Sequence, residues 1–340
     1  MPSLNIVVLG EKPEARAAAA AMLGKKGSAD DLAFHHTVVQ GKIVSAVDPT
    51  AYPEKLACMM QALNLADHAL VLADEITPSL GESIVALDLL GLKAVFVSEN
   101  EMIGKLIENT GLKGSPVFAS VPEARDYLME QESGAGASGT EGGGSAEADG
   151  AVVLIDHCFE VKGIGTVALG IVKSGVVNVH DKLRSVPLGR EIEVRSIQMN
   201  DQDVKEAGTG GRVGIALKGA KAEEIGRGEV FCSAGGAAGA GGVGVGAGVE
   251  PAKIFKCEVS AVKFAKAPLE SGAYHLSAGL QFEPCKLECQ GQIKPGETAK
   301  AKIACEKPIA LEKAGRLVLC NLNAKGVRVL AAVKPGEVVV

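Results

Sequence analysis

Apolar and polar positions follow two different spacings along the first 130 residues. Short uninterrupted apolar runs, rich in β-branched residues, are typical of parallel strands buried on both faces. These runs lie at 4–10, 42–48, 68–74, 93–99 and 115–120. Between them the apolar residues take helical spacing, at 13–24, 53–65, 77–91 and 100–111. The alternation predicts a doubly wound α/β domain over residues 1–130.

The rest of the chain changes to short alternating strands separated by Gly, Asn, Asp and Pro, with little helical periodicity. This pattern predicts two antiparallel β-barrel domains, at 150–232 and 251–340. Two stretches rich in Gly, Ala and Ser, at 131–149 and 233–250, cannot bury enough apolar surface to hold one conformation. We therefore predict two flexible linkers and three domains.

Composition narrows the classes of function. The chain has 340 residues, no Trp and 3% aromatic residues, which argues against a protein that stacks single-stranded bases. Its eight cysteines are scattered through apolar segments without a strong zinc spacing, as expected of buried or half-buried thiols in a reducing compartment. The sequence shows no signal peptide and no run able to cross a bilayer. We expect a cytoplasmic protein without a metal site and with neither a membrane nor DNA as partner.

Charge is distributed unevenly along the chain. Residues 1–150 carry 10 Lys and Arg against 21 Asp and Glu, whereas residues 151–340 carry 25 against 20. An anionic partner such as tRNA is therefore expected on the second half. The alternative is that a charge of this size serves solubility alone.

The middle of the chain carries a pattern that relates it to a known family. Residues 152–187 are VVLIDHCFEVKGIGTVALGIVKSGVVNVHDKLRSVP, and GREIEVRSIQMN, GTGGRVGIALKG and EEIGRGEVFCS follow. These segments resemble the second domain of the elongation factor Tu and SelB translation GTPases, a β-barrel that holds the aminoacylated end of a tRNA. Residues 306–333 are similar to the last barrel of that family.

The resemblance implies a degenerate P-loop GTPase-like α/β domain followed by two Tu-like antiparallel β-barrels. The chain is most similar to divergent SelB, Tu and archaeal initiation factor two gamma-like paralogues of methanogenic archaea. For these paralogues, binding of cysteinyl-tRNA has been proposed.

The nucleotide-binding motifs of the family are degraded here. Where GxxxxGK[ST] should follow the first strand, the chain keeps only Gly10 and one basic residue, Arg16. The D-x-P-G-H motif is reduced to Asp48 and a proline, and Ser98 begins the segment that replaces N-K-x-D. We predict little or no GTPase activity and no required cofactor. The alternative is weak GTP or GDP binding with Mg at a residual nucleotide site formed by Gly10, Lys12, Arg16, Asp48, Ser98 and Glu101.

The segment between the first helix and the second predicted strand is also unusual. In the family it holds a mobile switch with an essential Thr, whereas here the run 24–40 is short. Thr37 is a candidate remnant of that switch. His35 and His36 are adjacent, and because neighbouring residues of a strand point to opposite faces, we do not expect them to share a metal ion.

The resemblance implies a pocket for the amino acid and the terminal adenosine on the first barrel. The predicted residues are Asp156, His157, Phe159, Val161, Gly163, Val167, Gln198, Asn200 and Arg212. By position, Val161, Gly163 and Val167 face the terminal base. The residues Asp156, His157 and Phe159 approach the amino acid. Gln198 stands where the family usually has an acidic residue that contacts the ribose.

Asp156, His157 and Arg212 are similar to SelB rather than to elongation factor Tu. A cationic Arg and His beside a small pocket attract a thiolate or selenolate by Coulomb interaction, which makes cysteinyl-tRNA the first candidate. The open alternative is a structural ion pair between Asp156 and Arg212 at a domain seam.

Taken together, the residues and the resemblance predict a translation-elongation-factor-like protein that binds aminoacyl-tRNA and shields its aminoacyl end. The ribosome and a tRNA synthetase are further candidate partners. Two alternatives stay open. One is a weak GTP-binding translation factor, and the other is a scaffold that docks a protein partner through its degenerate GTPase domain.

Overall fold

A seven-stranded mixed sheet forms the centre of the first domain. The computed structural model describes residues 2–131, 150–233, 248–313 and 315–339. The strands of this sheet are β1 (Ser3–Leu9), β2 (Lys25–Ala29), β3 (Ala33–Val39), β4 (Lys42–Asp48), β5 (His68–Leu72), β6 (Lys93–Val97) and β7 (Val117–Phe118). Their order is β2-β3-β4-β1-β5-β6-β7, with β4, β1, β5, β6 and β7 parallel and the β2–β3 hairpin antiparallel at one edge.

Five helices cover the two faces of the sheet. They are α1 (Pro13–Leu23), α2 (Leu56–Asn64), α3 (Pro78–Leu90), α4 (Met102–Ile107) and α5 (Val121–Glu130). Helices α1 and α5 pack on one face, and α2, α3 and α4 pack on the other. Helix α3 shows how sequence sets the ends of a helix. Thr77 accepts a hydrogen bond from the Leu80 N–H, Pro78 takes the first position, and Gly91 ends the helix at a φ of +64°.

The sequence pattern does not predict the β2–β3 hairpin or helix α5. The residues of β2, KKGSA, have no apolar alternation, and the strand forms because Lys25 and Lys26 pair with His36 and His35 of β3. Helix α5 buries only Ala124 and Leu128, too few residues to give a helical stripe. Pairing with β3 therefore determines β2, and packing on α1 and β6 determines α5.

A closed six-stranded antiparallel barrel forms the second domain, here called the first barrel. The strands of this domain are β8 (Val152–Val161), β9 (Gly165–Ser174), β10 (Val176–Asn178), β11 (Lys182–Val186), β12 (Arg190–Met199), β13 (Gln202–Val204), β14 (Glu206–Gly208), β15 (Arg212–Lys218) and β16 (Val230–Ser233). The ring runs β11-β16-β8-β9-β15-β12 and closes through pairing of β11 with β12. Strand β13 pairs with the end of β12 outside the ring, and β10 pairs with β14.

The third domain, here called the second barrel, is also closed and six-stranded. Its strands are β17 (Val249–Ala261), β18 (Gly272–Ala278), β19 (Gln281–Cys289), β20 (Thr298–Glu312), β21 (Leu317–Cys320) and β22 (Val329–Val338), in the order β17-β20-β19-β18-β21-β22. The α/β domain and two antiparallel barrels predicted from the sequence are confirmed. Most of the predicted linkers 131–149 and 233–250 lies outside the described residues, and β17 begins within the second of them.

One cluster of buried apolar side chains crosses all three domains. Leu63 of α2, Leu154 of β8 and Leu280 after β18 belong to it, and each barrel has a further core of its own. All eight cysteines are free thiols, six buried and two half-buried, as predicted. No described helix is long and apolar enough to cross a membrane.

Candidate functional site

Arg16 is the centre of the predicted residual nucleotide site, beside the carboxyl ends of the parallel strands. Its side chain, on the first turn of α1, is completely buried. Its Nε donates to Asp48 Oδ1 at 2.9 Å and its Nη1 to the Gly10 carbonyl at 2.6 Å. Its Nη2 donates to the carbonyls of Pro49 at 3.1 Å and Tyr52 at 2.7 Å. Every guanidinium nitrogen therefore already has an acceptor from the protein.

The space in front of this loop is small and acidic. A cavity of about 30 Å³ lies there, which is room for roughly two water molecules. Its wall includes Gly10, Lys12 and the carboxylates of Glu11, Asp74 and Glu75. The Lys12 ammonium is bound to Glu75 at 3.0 Å, and this hydrogen bond raises the pKa of Lys12. These residues do not fit a nucleoside triphosphate with Mg, because its phosphates would meet carboxylates and because every guanidinium nitrogen of Arg16 is already bound.

Ser98 and Glu101 lie after β6 and are not part of the arginine network. The Ser98 hydroxyl donates to the Ala73 carbonyl at 2.7 Å and accepts from the Asn100 N–H at 3.0 Å, which joins the ends of β5 and β6. Glu101 is exposed at the start of α4. Within the described ranges, no three His, Cys, Asp or Glu side chains are arranged to hold a metal ion. Of the six predicted residues, Gly10 and Asp48 join Arg16 in a buried network. Lys12 is exposed and paired with Glu75, and Ser98 and Glu101 belong to a separate loop.

Five of the nine predicted pocket residues share one outer face of the first barrel. Directly paired residues of antiparallel strands point to the same side, as do residues two apart on one strand. The pairs that place them together are His157–Leu169, Leu169–Gly214, Gly214–Gln198, Phe159–Val167 and Val161–Gly165. His157 is exposed, and its ring lies 5.6 Å from the half-buried ring of Phe159. The assignment of these five residues to a pocket stays a prediction.

Gly163 and Asn200 occupy turns beside this face. Gly163 has a φ of +84° in the turn between β8 and β9. Asn200 and Asp201 have φ values of +48° and +61°, as in the type I′ turns that join two strands with a right-handed twist. Backbone geometry accounts for the residue type at both positions.

Asp156 is the extra residue of a β-bulge in β8. Ile155 pairs with Gly170 and His157 with Leu169, so Asp156 has no partner across the ladder. The side chain of Asp156 is 2% exposed, and its Oδ2 lies 2.6 Å from Nη1 of Arg212. That N–H does not point at the oxygen, and neither carboxylate oxygen has a hydrogen-bond partner among the residues the structure describes. The contact is a close ion pair with poor hydrogen-bond geometry.

Arg212 also contacts the first domain. Its guanidinium carbon lies 4.0 Å from the ring centroid of Phe34 on β3, a cation–π distance. The Asp156–Arg212 pair therefore sits at a seam between the first domain and the first barrel, which is the alternative that the sequence left open. With the Arg212 side chain only 14% exposed, little of its charge is accessible to a substrate.

His36 extends this seam. Its ring stacks on Phe34, with centroids 6.3 Å apart, and its Nδ1 lies 3.1 Å from the Ser45 hydroxyl. Burial, followed by the charges of Arg212 and His35, lowers the pKa of His36 to about 4. The imidazole is therefore neutral at pH 7.

Arg227 is a seam residue that sequence reasoning missed. Its Nη1 donates to Asp31 Oδ1 at 2.7 Å and to Gln61 Oε1 at 3.2 Å, and its Nε donates to the Asp156 carbonyl at 3.2 Å. One side chain thus joins the loop of the β2–β3 hairpin, helix α2 and strand β8. Its local sequence, GRGE, gives no signal of these distant contacts.

Similarity to known proteins agrees with this architecture. Residues 165–232 match the family model for elongation factor Tu domain 2. The sequence is 33% identical to "Uncharacterized protein MJ0325" of Methanocaldococcus jannaschii, over 92% of this chain and 94% of that protein. It is 30% identical to the selenocysteine-specific elongation factor of the same organism, over 62% of this chain and 48% of that protein. The chain belongs to the SelB and elongation factor Tu-like family of translation GTPases. It spans about half the length of the selenocysteine-specific factor.

Solved structures of the family share the fold. The apo form of translation elongation factor SelB from Methanococcus maripaludis aligns with a TM-score of 0.79 at 19% identity, covering 99% of this chain and 80% of that chain. The complex of that SelB with the GTP analogue GppNHp gives a TM-score of 0.80 at 18% identity, covering 98% and 79%. The chain therefore has the three-domain fold of these structures.

Proposed function

We propose that the protein binds aminoacyl-tRNA on the outer face of the first barrel and shields the aminoacyl ester from water, without a nucleotide. The observation that carries the proposal is the register that brings His157, Phe159, Val161, Val167 and Gln198 to one face. Val161 and Val167 offer apolar surface to the terminal base and Phe159 offers it to the amino acid, while His157 and Gln198 offer hydrogen-bonding groups. The face belongs to the domain that matches the elongation factor Tu model.

The arrangement around Arg16 supports independence from nucleotide and a lack of GTPase activity. Its donors are bound to protein oxygens, and the adjacent cavity is small and lined by carboxylates. A phosphoryl-transfer site works by positioning phosphates and neutralising their charge, and these residues supply neither effect.

Cysteinyl-tRNA remains the candidate substrate proposed from the sequence. The charge-based reason for it is weakened, because Arg212 is paired with Asp156 and covered by Phe34. Selection among amino acids then depends on the size and polarity of the face near His157 and Phe159, so the identity of the amino acid is best tested directly.

The test is a deacylation-protection assay. Hydrolysis of cysteinyl-, seryl-, alanyl- and valyl-tRNA is followed with and without the protein, and with and without GTP and Mg. We expect slower hydrolysis of at least one species, to the same extent in both nucleotide conditions. No protection of any species would refute aminoacyl-tRNA binding, and protection that requires GTP would refute the nucleotide-free form.

A matched pair of variants locates the binding face. Phe159→Ala removes a half-buried aromatic ring from the proposed face, whereas Val176→Ala shortens a side chain that is 48% exposed on β10 of the same domain. Since the apolar contact of a Phe side chain contributes about 1.5–3 kcal/mol, Phe159→Ala should weaken protection about tenfold or more. Val176→Ala should leave it unchanged. Equal effects of the two substitutions would place binding elsewhere.

A further inference from the structure

Residues 48–64 connect the Arg16 network to the rest of the molecule. This segment, called the connector, comprises the loop after β4 and helix α2. Its first residues, Asp48, Pro49 and Tyr52, supply three of the four strongest acceptors of the Arg16 guanidinium, and Gly10 supplies the fourth. The loop that normally faces the nucleotide in this family is thus held by a side chain of α1.

The connector also contacts both barrels. Arg328 of the second barrel donates to the Pro53 carbonyl at 2.9 Å. Gln61 of α2 donates to the Leu280 carbonyl of the second barrel at 2.9 Å and accepts from Arg227 of the first barrel at 3.2 Å. A displacement of the connector would therefore break polar contacts with each barrel.

Tyr52 joins the connector to the helix beside it. Its side chain is completely buried, and its hydroxyl donates to the Ser79 carbonyl of α3 at 2.9 Å. One turn along α3, Glu82 binds Arg328 through both carboxylate oxygens. A continuous series of contacts therefore runs from Arg16 through the connector and α3 to the second barrel.

We infer that Arg16 is an internal replacement for a bound nucleotide. The guanidinium of Arg16 holds the connector docked on both barrels. In nucleotide switches, a terminal phosphate and its metal ion order such a segment, and hydrolysis releases it. Here the ordering group is part of the chain, so no reaction removes it. Asp48 balances its charge within the buried site. The three guanidinium nitrogens bind four acceptors around the group, whereas a lysine ammonium has only three donors on a single atom. This inference concerns the arrangement of the domains and does not depend on tRNA binding.

The test is hydrogen–deuterium exchange, read by mass spectrometry on the full chain without added nucleotide. The variants are Arg16→Ala and Arg16→Lys, and the matched control is Lys12→Ala, which removes an exposed ion pair from the same loop. We expect both Arg16 variants to exchange at least tenfold faster in the connector and in the barrel segments that it or α3 contacts, 278–282 and 327–329. Strands β5 and β6 should exchange as in the parent, and Lys12→Ala should match the parent throughout.

Two results would overturn the inference. One is unchanged exchange at 278–282 and 327–329 in Arg16→Ala, and the other is a uniform increase that includes β5 and β6. Should the Arg16 variants fail to fold, Tyr52→Phe decides instead, because it keeps the buried ring and removes only the hydroxyl contact with Ser79. Loss of one neutral hydrogen bond predicts about fivefold faster exchange in the connector and at 327–329. No change in those segments would contradict the proposed series of contacts.

Discussion

Removal of Arg328 tests the seam between the first domain and the second barrel. Glu82 of α3 has a side chain that is 3% exposed, and Arg328 supplies almost all of the hydrogen-bond donors to its carboxylate. Glu82 accepts from the Arg328 backbone N–H at 2.8 Å, from Nε at 3.0 Å and from Nη2 at 2.6 Å. The same Nη2 also donates to the Pro53 carbonyl at 2.9 Å.

The free energy that Arg328→Ala is expected to cost follows from the hydrogen bonds that Glu82 keeps after the substitution. Three side-chain hydrogen bonds disappear, and Glu82 is left as a buried carboxylate with a single backbone donor. Breaking a buried ion pair by removing one partner costs about 3–5 kcal/mol. Because the Arg328 side chain is 18% exposed, water can reach part of the vacated space, so we expect a cost of about 3 kcal/mol, at the lower end of that range.

The assay is native-state hydrogen exchange in α3 and β22, which reports opening of this seam without requiring the three domains to unfold together. A cost of about 3 kcal/mol corresponds to exchange about 150-fold faster. The control is the double variant Glu82→Met with Arg328→Met, which removes both charges. Its free energy of seam opening should stay within about 1 kcal/mol of that of the parent. A cost below about 1 kcal/mol for Arg328→Ala, or a double variant as unstable as the single one, would refute the reasoning.

Four further predictions concern other parts of the molecule. The folded-state pKa of His36 is about 4, below its ordinary value of 6.5, so the unfolded chain binds its proton first as pH falls. Stability should therefore drop by up to about 3 kcal/mol between pH 6.5 and 4, and His36→Phe should reduce the slope of urea midpoint against pH. Gly170→Ala should lower the urea midpoint because its Cβ would overlap the Leu154 carbonyl oxygen. Gly104 lies inside α4, and apart from its chain neighbours and the helix backbone, a Cβ added there would meet no other atom within 4 Å. Gly104→Ala should therefore raise stability by about 0.5–1 kcal/mol. Arg227→Ala should speed hydrogen exchange in the β2–β3 hairpin about tenfold, since it removes charge-assisted bonds worth about 1.5–3 kcal/mol each, and unchanged exchange would contradict its role at the seam.

The predictable part of the fold rests on local patterns. Each of the five apolar runs of the first domain became a strand, and the four predicted helices begin and end within a few residues of their expected bounds. Runs buried on both faces and capped helices carry their signal in neighbouring residues, which is why sequence alone locates them. The alternation of the first barrel likewise brought His157, Phe159 and Val167 to one face.

Strand pairing, a bulge and long-range contacts determine what the sequence did not predict. Strand β2 lacks an apolar pattern and exists by pairing with β3. Asp156 follows the alternation of β8 in sequence, yet a bulge gives it a buried position beside Arg212. In the sequence, Arg16 is the basic residue that remains of a degraded motif. Its partners at 48–52 lie more than thirty positions away, so nothing local indicates that its donors are already occupied.

A connector held by the chain itself has a consequence for how a bound tRNA would leave. In a nucleotide switch, hydrolysis removes the group that orders the binding surface, so release is coupled to a chemical step. Arg16 cannot be removed in this way, and on the proposed function the complex dissociates at a rate set by affinity alone. With an association rate of about 10⁷ M⁻¹s⁻¹ and a Kd of about 10⁻⁷ M, the dissociation rate is about 1 s⁻¹. Such a protein protects an ester in proportion to the fraction of time that the ester is bound. Its protection should therefore rise with protein concentration and saturate, and it should show no dependence on the GTP to GDP ratio.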